Sequence, residues 1–179
     1  IYYWRRHAAA NRLFQLMPGV LVGMAAGAVA LTLSEKVLRP MVAGIILAML
    51  AIYLWRRLRS AVIPKAHPVP YGVAAGFSTT VANAAGPVMN LYLLSQQLPK
   101  EEFVATGAWF FFIVNLLKVP VYLWHGLFSR QSLLFDLCLV PAVLVGALAG
   151  RWLLDRIPPR LFEIAVIVLT LASTLLLFR

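Results

Sequence analysis

Hydrophobic residues fall into six runs along the chain, and each run is close to the length of about 20 residues that a helix needs to cross a bilayer. The runs cover roughly residues 13–33, 37–55, 71–94, 103–124, 132–154 and 161–178. Short stretches with arginine, lysine and proline separate most of them. The pattern predicts an all-α, polytopic helical membrane protein with six membrane segments and no sizeable soluble domain.

The run 71–94 differs from the others because it carries no charge and yet has a polar middle. Its polar residues are Ser78, Thr79, Thr80 and Asn83. Gly86-Pro87 should then interrupt the helix, since proline removes an amide donor and clashes with the preceding turn. A broken backbone at membrane depth is tolerated only against protein or a water-filled cavity. The pattern therefore predicts that 71–94 lines a cavity and that the other runs hold it.

Composition supports a membrane protein. Of the 179 residues, 62% are hydrophobic and 12% are charged, whereas about a quarter of the residues in a soluble domain are charged. The net charge of +10 would suit nucleic acid, but the basic residues are spread over short loops, where they orient helices and contact lipid headgroups. We therefore expect the lipid bilayer, and no nucleic acid, as a partner. Cys138 lies in an apolar run and, as the single cysteine, forms no intrachain disulfide.

Two stretches of the chain repeat each other. Residues 18–27 (PGVLVGMAAG) and 141–150 (PAVLVGALAG) are identical at seven of ten positions. In each copy, small residues recur at every fourth position and so form one helix face on which a neighbour can pack closely. They are Gly19, Gly23 and Gly27 in the first copy and Ala142, Gly146 and Gly150 in the second.

The repeat divides the chain into two similar parts, as is typical of transporter folds. We expect residues 1–57 to be the remainder of a first repeat, 58–70 a cytoplasmic linker, and 71–179 a second repeat of four membrane segments, the first of them broken. The first repeat lacks a counterpart of 71–121. We therefore expect the natural protein to begin earlier and to contain about eight spans.

Lysine and arginine predict the orientation, because cytoplasmic loops are rich in both. If every segment crosses the bilayer, nine basic residues lie on the side of the 58–70 linker and five on the other. The 24 residues of 71–94 are enough to cross, so we expect the linker and the C-terminus to be cytoplasmic. If 71–94 instead enters and leaves on one side, the second repeat inverts and the linker stays cytoplasmic.

The run 103–124 contains two strongly polar residues, Asn115 and Lys118, which share a helix face because they are three positions apart. A charge at the bilayer centre costs about 2.5–3.5 kcal/mol on insertion scales. Lys118 either extends toward the Trp124 end of its helix, which relieves this cost, or faces the interior. In the interior it would pair with Asp136 or attract an anion.

The broken segment has a chemistry of its own. If one helix ends near Asn83 and another starts at Pro87, where proline is favoured, the amides near Val88 and Met89 point into the break. Such a helix start binds anions, and the neighbouring hydroxyls and Lys118 would add donors and a charge. The alternative is that Ser and Thr bond their own backbone and Gly86-Pro87 is only a kink.

The stretches GFSTTVANAAGPVMNLYLL (76–94) and FFIVNLLKVPVY (111–122), with the later P-x-x-x-x-G-x-x-x-G helix, resemble the sulfite exporter TauE/SafE family of membrane transporters. The resemblance covers essentially the whole chain, as the later three-quarters of a family member. The family's signature is a G-x-x-[ST]-G-x-x-G-x-x-G-P type stretch in each half, and here Thr80 and Asn83 replace two of its glycines. The resemblance implies about eight spans in two halves and the movement of small sulfur-containing or carboxylate anions across the bacterial inner membrane.

These observations predict a secondary transporter, or permease, that exports small anions such as sulfite, sulfonates or related organic acids, with coupling to a proton gradient as one option. The predicted substrate-binding residues are Ser78, Thr79, Thr80, Asn83, Gly86, Pro87, Asn115 and Lys118. We expect no catalytic residue, cofactor or metal, because no acidic pair is buried and the histidines lie at ends or loops. The alternatives are a non-transporting membrane assembly subunit and a channel.

Overall fold

The computed structural model describes residues 8–59, 65–124 and 129–178. Within these ranges the secondary structure is entirely helical, which confirms the predicted all-α class. The helices are α1 (Ala10–Ala30), α2 (Glu35–Arg59), α3 (Pro68–Ala82), α4 (Ala85–Ser95), α5 (Lys100–Trp124), α6 (Arg130–Arg156) and α7 (Pro159–Leu175), followed by a 3₁₀ turn, Leu176–Phe178.

Four of these helices, α1, α2, α5 and α6, are long and apolar enough to cross a membrane. The predicted third segment is instead divided into α3 with 15 residues and α4 with 11. At 1.5 Å per residue α3 reaches about 22 Å, less than the hydrocarbon thickness of about 30 Å. The sixth run forms α7, which has 17 residues. The chain is thus a multi-pass helical membrane protein.

The helices α3 and α4 form a hairpin whose two outer ends meet. The amide of Ala66 donates to Ser95 Oγ at 3.4 Å, and Gln96 Nε2 donates to the carbonyl of Ala66 at 3.0 Å. Residues 71–94 therefore enter and leave at one end of the bundle, here called the linker end. The prediction that this segment crosses is wrong, and the re-entrant alternative is correct, because the chain reverses at the break between the two helices.

The reversal changes the predicted arrangement of the later helices. Arg57 near the end of α2 donates to Glu163 near the start of α7, and Lys100 at the start of α5 donates to the carbonyl of Leu154 near the end of α6 at 2.5 Å. Both contacts lie at the linker end, so α7 runs away from it. The C-terminal end of α7 therefore lies at the end of the bundle opposite the linker end, which differs from the expectation that both share one side.

The first glycine strip packs as predicted. A Cβ atom added at Gly23 would lie 2.1 Å from the carbonyl oxygen of Val73, and one added at Gly76 would lie 2.1 Å from that of Val20. The backbones of α1 and α3 are thus in direct contact, glycine strip against glycine strip. The second strip is different, because Gly146 and Gly150 have no atom of the described residues within 4 Å of an added Cβ.

The hairpin lies at the centre of the described helices. Helix α4 contacts α2, α3, α5 and α7, and its side chains from Leu91 to Ser95 are all buried. Helix α6 lies at the other extreme, since almost all of its apolar side chains are exposed among the described residues. This arrangement holds the hairpin tip in a fixed place among the surrounding helices.

Candidate functional site

The tip of the hairpin is a left-handed turn at Asn83, whose φ is 51° and ψ is 31°. The amides of Asn83 and Ala84 donate to the carbonyls of Thr79 at 3.2 Å and Ser78 at 3.0 Å, which closes the last turn of α3. Asparagine is one of the few residues besides glycine that adopt this conformation readily. The chain then starts α4 at Ala85, so the predicted break lies at Asn83 and Ala84.

Pro87 is the third residue of α4 rather than its first. The prediction that a helix starts at Pro87 is wrong by two positions. The physical reason is that the first turn of a helix leaves its amides without intrahelical acceptors, so a proline there removes no hydrogen bond. Gly86 precedes it, and a Cβ there would meet only Phe111 Cζ at 4.0 Å.

Lys118 of α5 is directed at the hairpin tip. Its side chain is buried, with 7% exposed, and its ammonium donates to Thr79 Oγ1 at 2.7 Å and Asn83 Oδ1 at 2.9 Å. A third contact reaches the carbonyl of Thr79 at 3.4 Å. The snorkelling alternative is therefore wrong, and so is the pairing with Asp136. A single lysine joins α5 to the end of α3.

The charge of Lys118 is surrounded by neutral oxygens. Among the described residues, no carboxylate forms a salt bridge with it. Moving an ammonium from water into a low-dielectric interior costs several kcal/mol unless other groups compensate. The negative end of the α3 dipole and the three oxygen contacts compensate part of this cost. An anion that reaches the tip would therefore meet this ammonium without a competing carboxylate among the described salt bridges.

Ser78 and Thr80 flank Thr79 but differ in their surroundings. Ser78 is fully buried, and its Oγ has no hydrogen-bond partner among the described residues. Thr80 Oγ1 donates to the carbonyl of Gly76 at 3.0 Å, as the backbone-bonding alternative predicts. A Cβ added at Gly27 would lie 2.8 Å from Thr80 Cβ, so Thr80 faces α1. Ser78 has a donor free for a ligand, whereas Thr80 has not.

Asn115 lies one turn before Lys118 but is exposed, and Lys118 does not donate to it. The shared helix face predicted for the two residues therefore does not bring both side chains to the tip. The eight predicted residues thus separate into a group at or beside the tip and two outside it. The first group is Ser78, Thr79, Asn83, Gly86, Pro87 and Lys118, and the second is Thr80 and Asn115.

The sequence analysis missed several polar contacts between helices, two of which involve side chains of α7. Asn90 Nδ2 of α4 donates to Thr170 Oγ1 of α7 at 3.3 Å, and Thr170 is buried. At the linker end, Tyr53 Oη donates to Glu163 Oε1 at 2.9 Å beside the Arg57–Glu163 pair. Asn90 was visible as an amide inside an apolar run. The pairing of Glu163 with Tyr53 and Arg57 could not be seen in the sequence, because these residues lie more than a hundred positions from Glu163.

A cavity of about 420 Å³ lies beside the Glu163 cluster. Its lining includes Tyr53 of α2, Gln97 of the α4–α5 connection, Lys100 at the start of α5, and Phe162 of α7. The lining contains both acidic and basic side chains, so it selects no single charge of ligand. The cavity lies at the linker end and does not include any residue of the hairpin tip.

The family model described as Sulfite exporter TauE/SafE matches residues 1–177 of the chain. A search of curated proteins and a search of solved structures each found no match. The family match covers α1 to α7, so it includes every residue of the hairpin tip.

Proposed function

Since the chain belongs to the sulfite exporter TauE/SafE family of membrane transporters, we propose that it is part of a secondary transporter that exports small anions across the bacterial inner membrane. The substrates we propose are sulfite, sulfonates or related organic acids. Coupling to a proton gradient is part of the same proposal. The hairpin tip is the binding site.

The observation that carries this proposal is the buried Lys118 at the tip of a re-entrant hairpin. A charged lysine at membrane depth is costly, and such residues mark substrate pathways. A full positive charge without a carboxylate partner attracts an anion. Because its contacts are neutral oxygens, an approaching anion meets no competing negative side chain among them.

The start of α4 supplies the second part of the site. Helix α4 begins beside the Lys118 contacts, and the amides of its first turn, such as those of Gly86 and Val88, carry the positive end of the dipole. The unpartnered hydroxyl of Ser78 adds a neutral donor near the break. One charge with several neutral donors holds an anion weakly enough to release it, as transport requires.

For the whole protein we propose an architecture of about eight membrane segments in two repeats, with α1 and α2 belonging to the first. The proposed boundaries are 1–57 for the first repeat, 58–70 for the linker and 71–179 for the second repeat. In this arrangement α1, α2, α5, α6 and α7 cross the bilayer, and α3 with α4 re-enters it. The six runs of the sequence thus become five crossings and one hairpin.

The distribution of basic residues supports a cytoplasmic linker end. Arg56, Arg57 and Arg59 end α2 at that side, and cytoplasmic loops are rich in such residues. The other basic residues there are Arg12, Lys65, Lys100, Arg156 and Arg160, against Lys36, Arg39 and Arg130 at the opposite end. We therefore propose that the C-terminal end of the chain faces away from the cytoplasm.

Anion flux into proteoliposomes of the full-length protein tests this function, with sulfite, several sulfonates and several carboxylates, each with and without a proton gradient. Lys118→Ala is expected to lower the flux by about tenfold or more, since one charge contact of about 1.4 kcal/mol already accounts for a factor of ten. Lys36→Ala, which removes an exposed lysine, is the matched control and should transport normally.

The alternatives give different results in the same vesicles. Folded protein that moves none of these anions contradicts the proposal and favours a non-transporting assembly subunit. Flux that neither saturates nor responds to a gradient indicates a channel. Unchanged flux in Lys118→Ala removes Lys118 from the site.

A further inference from the structure

The end of α3 presents a set of oxygen atoms of a kind that binds small cations. The set consists of Thr79 Oγ1, the carbonyl of Thr79 and Asn83 Oδ1, and all three lie at the negative end of the helix dipole. In transporters built from interrupted helices, carbonyls at such half-helix ends coordinate the coupling Na⁺. Hydroxyl, amide and carbonyl oxygens are the ligands that a hard cation prefers.

In this protein the position among those oxygens is taken by an ammonium group that belongs to the chain. Lys118 Nζ contacts the three atoms at 2.7, 2.9 and 3.4 Å. An ammonium carries the same charge as Na⁺ and has three donors, one for each oxygen. Because the group is part of α5, it cannot diffuse away from the site as a free cation can.

We propose that the Lys118 ammonium replaces a coupling cation, so that anion transport by this protein requires no Na⁺ or other dissociable metal cation. The inference rests on the proposed anion transport for its functional meaning. It assigns Lys118 two tasks at once: neutralising the end of α3 and supplying the charge that attracts the anion. Removing the ammonium should leave behind a set of neutral oxygens with affinity for a small metal cation.

The first test uses the unmodified full-length protein. Anion flux is measured with Na⁺, K⁺ or N-methylglucamine as the only cation on both sides of the vesicle membrane. The three rates are expected to be similar, since the Lys118 ammonium already occupies the oxygens at the end of α3. A loss of about tenfold or more when N-methylglucamine replaces Na⁺ would overturn the inference. Such a loss would mean that Na⁺ and the anion are coupled in transport.

The second test needs no substrate. Thermal unfolding of purified full-length protein is followed in sodium, lithium and choline chloride at equal ionic strength. Lys118→Ala should gain stability specifically from Na⁺ or Li⁺, by about 3 °C or more near saturation, whereas the unmodified protein and the Lys36→Ala control should not. Adding Asn83→Ala to Lys118→Ala removes one oxygen and should reduce the gain.

Each outcome of the second test has a meaning. A Lys118→Ala protein that unfolds identically in all three salts contradicts the inference, as does an unmodified protein that Na⁺ stabilises specifically. If Lys118→Ala does not fold, Lys118→Met, which keeps most of the apolar stem, takes its place. If Na⁺ stabilises the variant but the unmodified protein transports no anion, the proposed function is refuted and the cation site is still supported.

Discussion

At the scale of single residues, Asn83 has two tasks that the sequence alone does not separate. It adopts the left-handed conformation that ends α3, and its Oδ1 accepts a hydrogen bond from Lys118. The resemblance given in the sequence analysis implies glycine at this position, and glycine meets the first requirement without strain. Asparagine meets the same requirement and adds an oxygen atom to the site.

Substitutions at Asn83 should separate the two tasks. Asn83→Gly keeps the left-handed turn and loses only the hydrogen bond from Lys118, so its unfolding temperature should fall less than that of Asn83→Ala. Asn83→Ala should lose about 1–2 kcal/mol of stability, since a left-handed alanine is strained. Both variants lose the acceptor of Lys118 and should show altered anion flux. Equal stability of the two variants in thermal unfolding would contradict the role of the turn.

At the scale of helices, α1 and α6 show how one motif can have two environments. Both contain the P-x-V-L-V-G stretch, and both form helices with the proline inside. Gly23 of α1 lies against the backbone of α3, whereas Gly146 of α6 has open space beside it among the described residues. The motif determines a helix with a smooth face. Which helix, if any, packs against that face depends on other parts of the chain.

Matched alanine substitutions should reveal this difference in the chain of 179 residues. Gly23→Ala should destabilise the bundle by about 1–3 kcal/mol, because the new Cβ overlaps a carbonyl that belongs to rigid backbone. Gly146→Ala should be close to neutral, as should the control Gly44→Ala, which also has no atom within 4 Å. Thermal unfolding in detergent measures all three. If Gly146→Ala lowers the stability as much as Gly23→Ala does, the α6 face is covered by another helix.

At the scale of the whole molecule, the hairpin decides the topology. A crossing segment would have placed the ends of α3 and α4 on opposite sides, but Ala66 and Gln96 are hydrogen-bonded to each other. This single reversal exchanges the sides of α5, α6 and α7. It also gathers most of the basic loop residues at the linker end, so the charge asymmetry is larger than the sequence analysis predicted.

Cysteine labelling from one side of the membrane tests the topology. In a Cys138→Ser background of the full-length protein, cysteines are placed at the exposed positions of Lys65, Gln97 and Lys36. Positions 65 and 97 should react with an impermeant reagent from the same side, and position 36 from the other. Labelling of 65 and 97 from opposite sides in oriented vesicles would show that the hairpin crosses.

The sequence by itself determined that the protein is helical and lies in a membrane, that its third segment is interrupted near Asn83, and that α1 has a close neighbour. Each of these follows from local composition or helical spacing, which act over a few turns. The candidate residues Thr79, Asn83 and Lys118 were also found this way, because polar groups are rare and costly in apolar runs.

Only the tertiary structure decided which of those polar groups meet. Thr80 and Asn115 fit the sequence pattern as well as Thr79 and Lys118 do, but Thr80 faces α1 and Asn115 is exposed. The direction of the chain after the break was equally open, because 24 apolar residues can cross a bilayer or return within it. Contacts between residues about thirty to forty positions apart settled both questions, as with Lys118 and Thr79, and helical periodicity carries no information about such contacts.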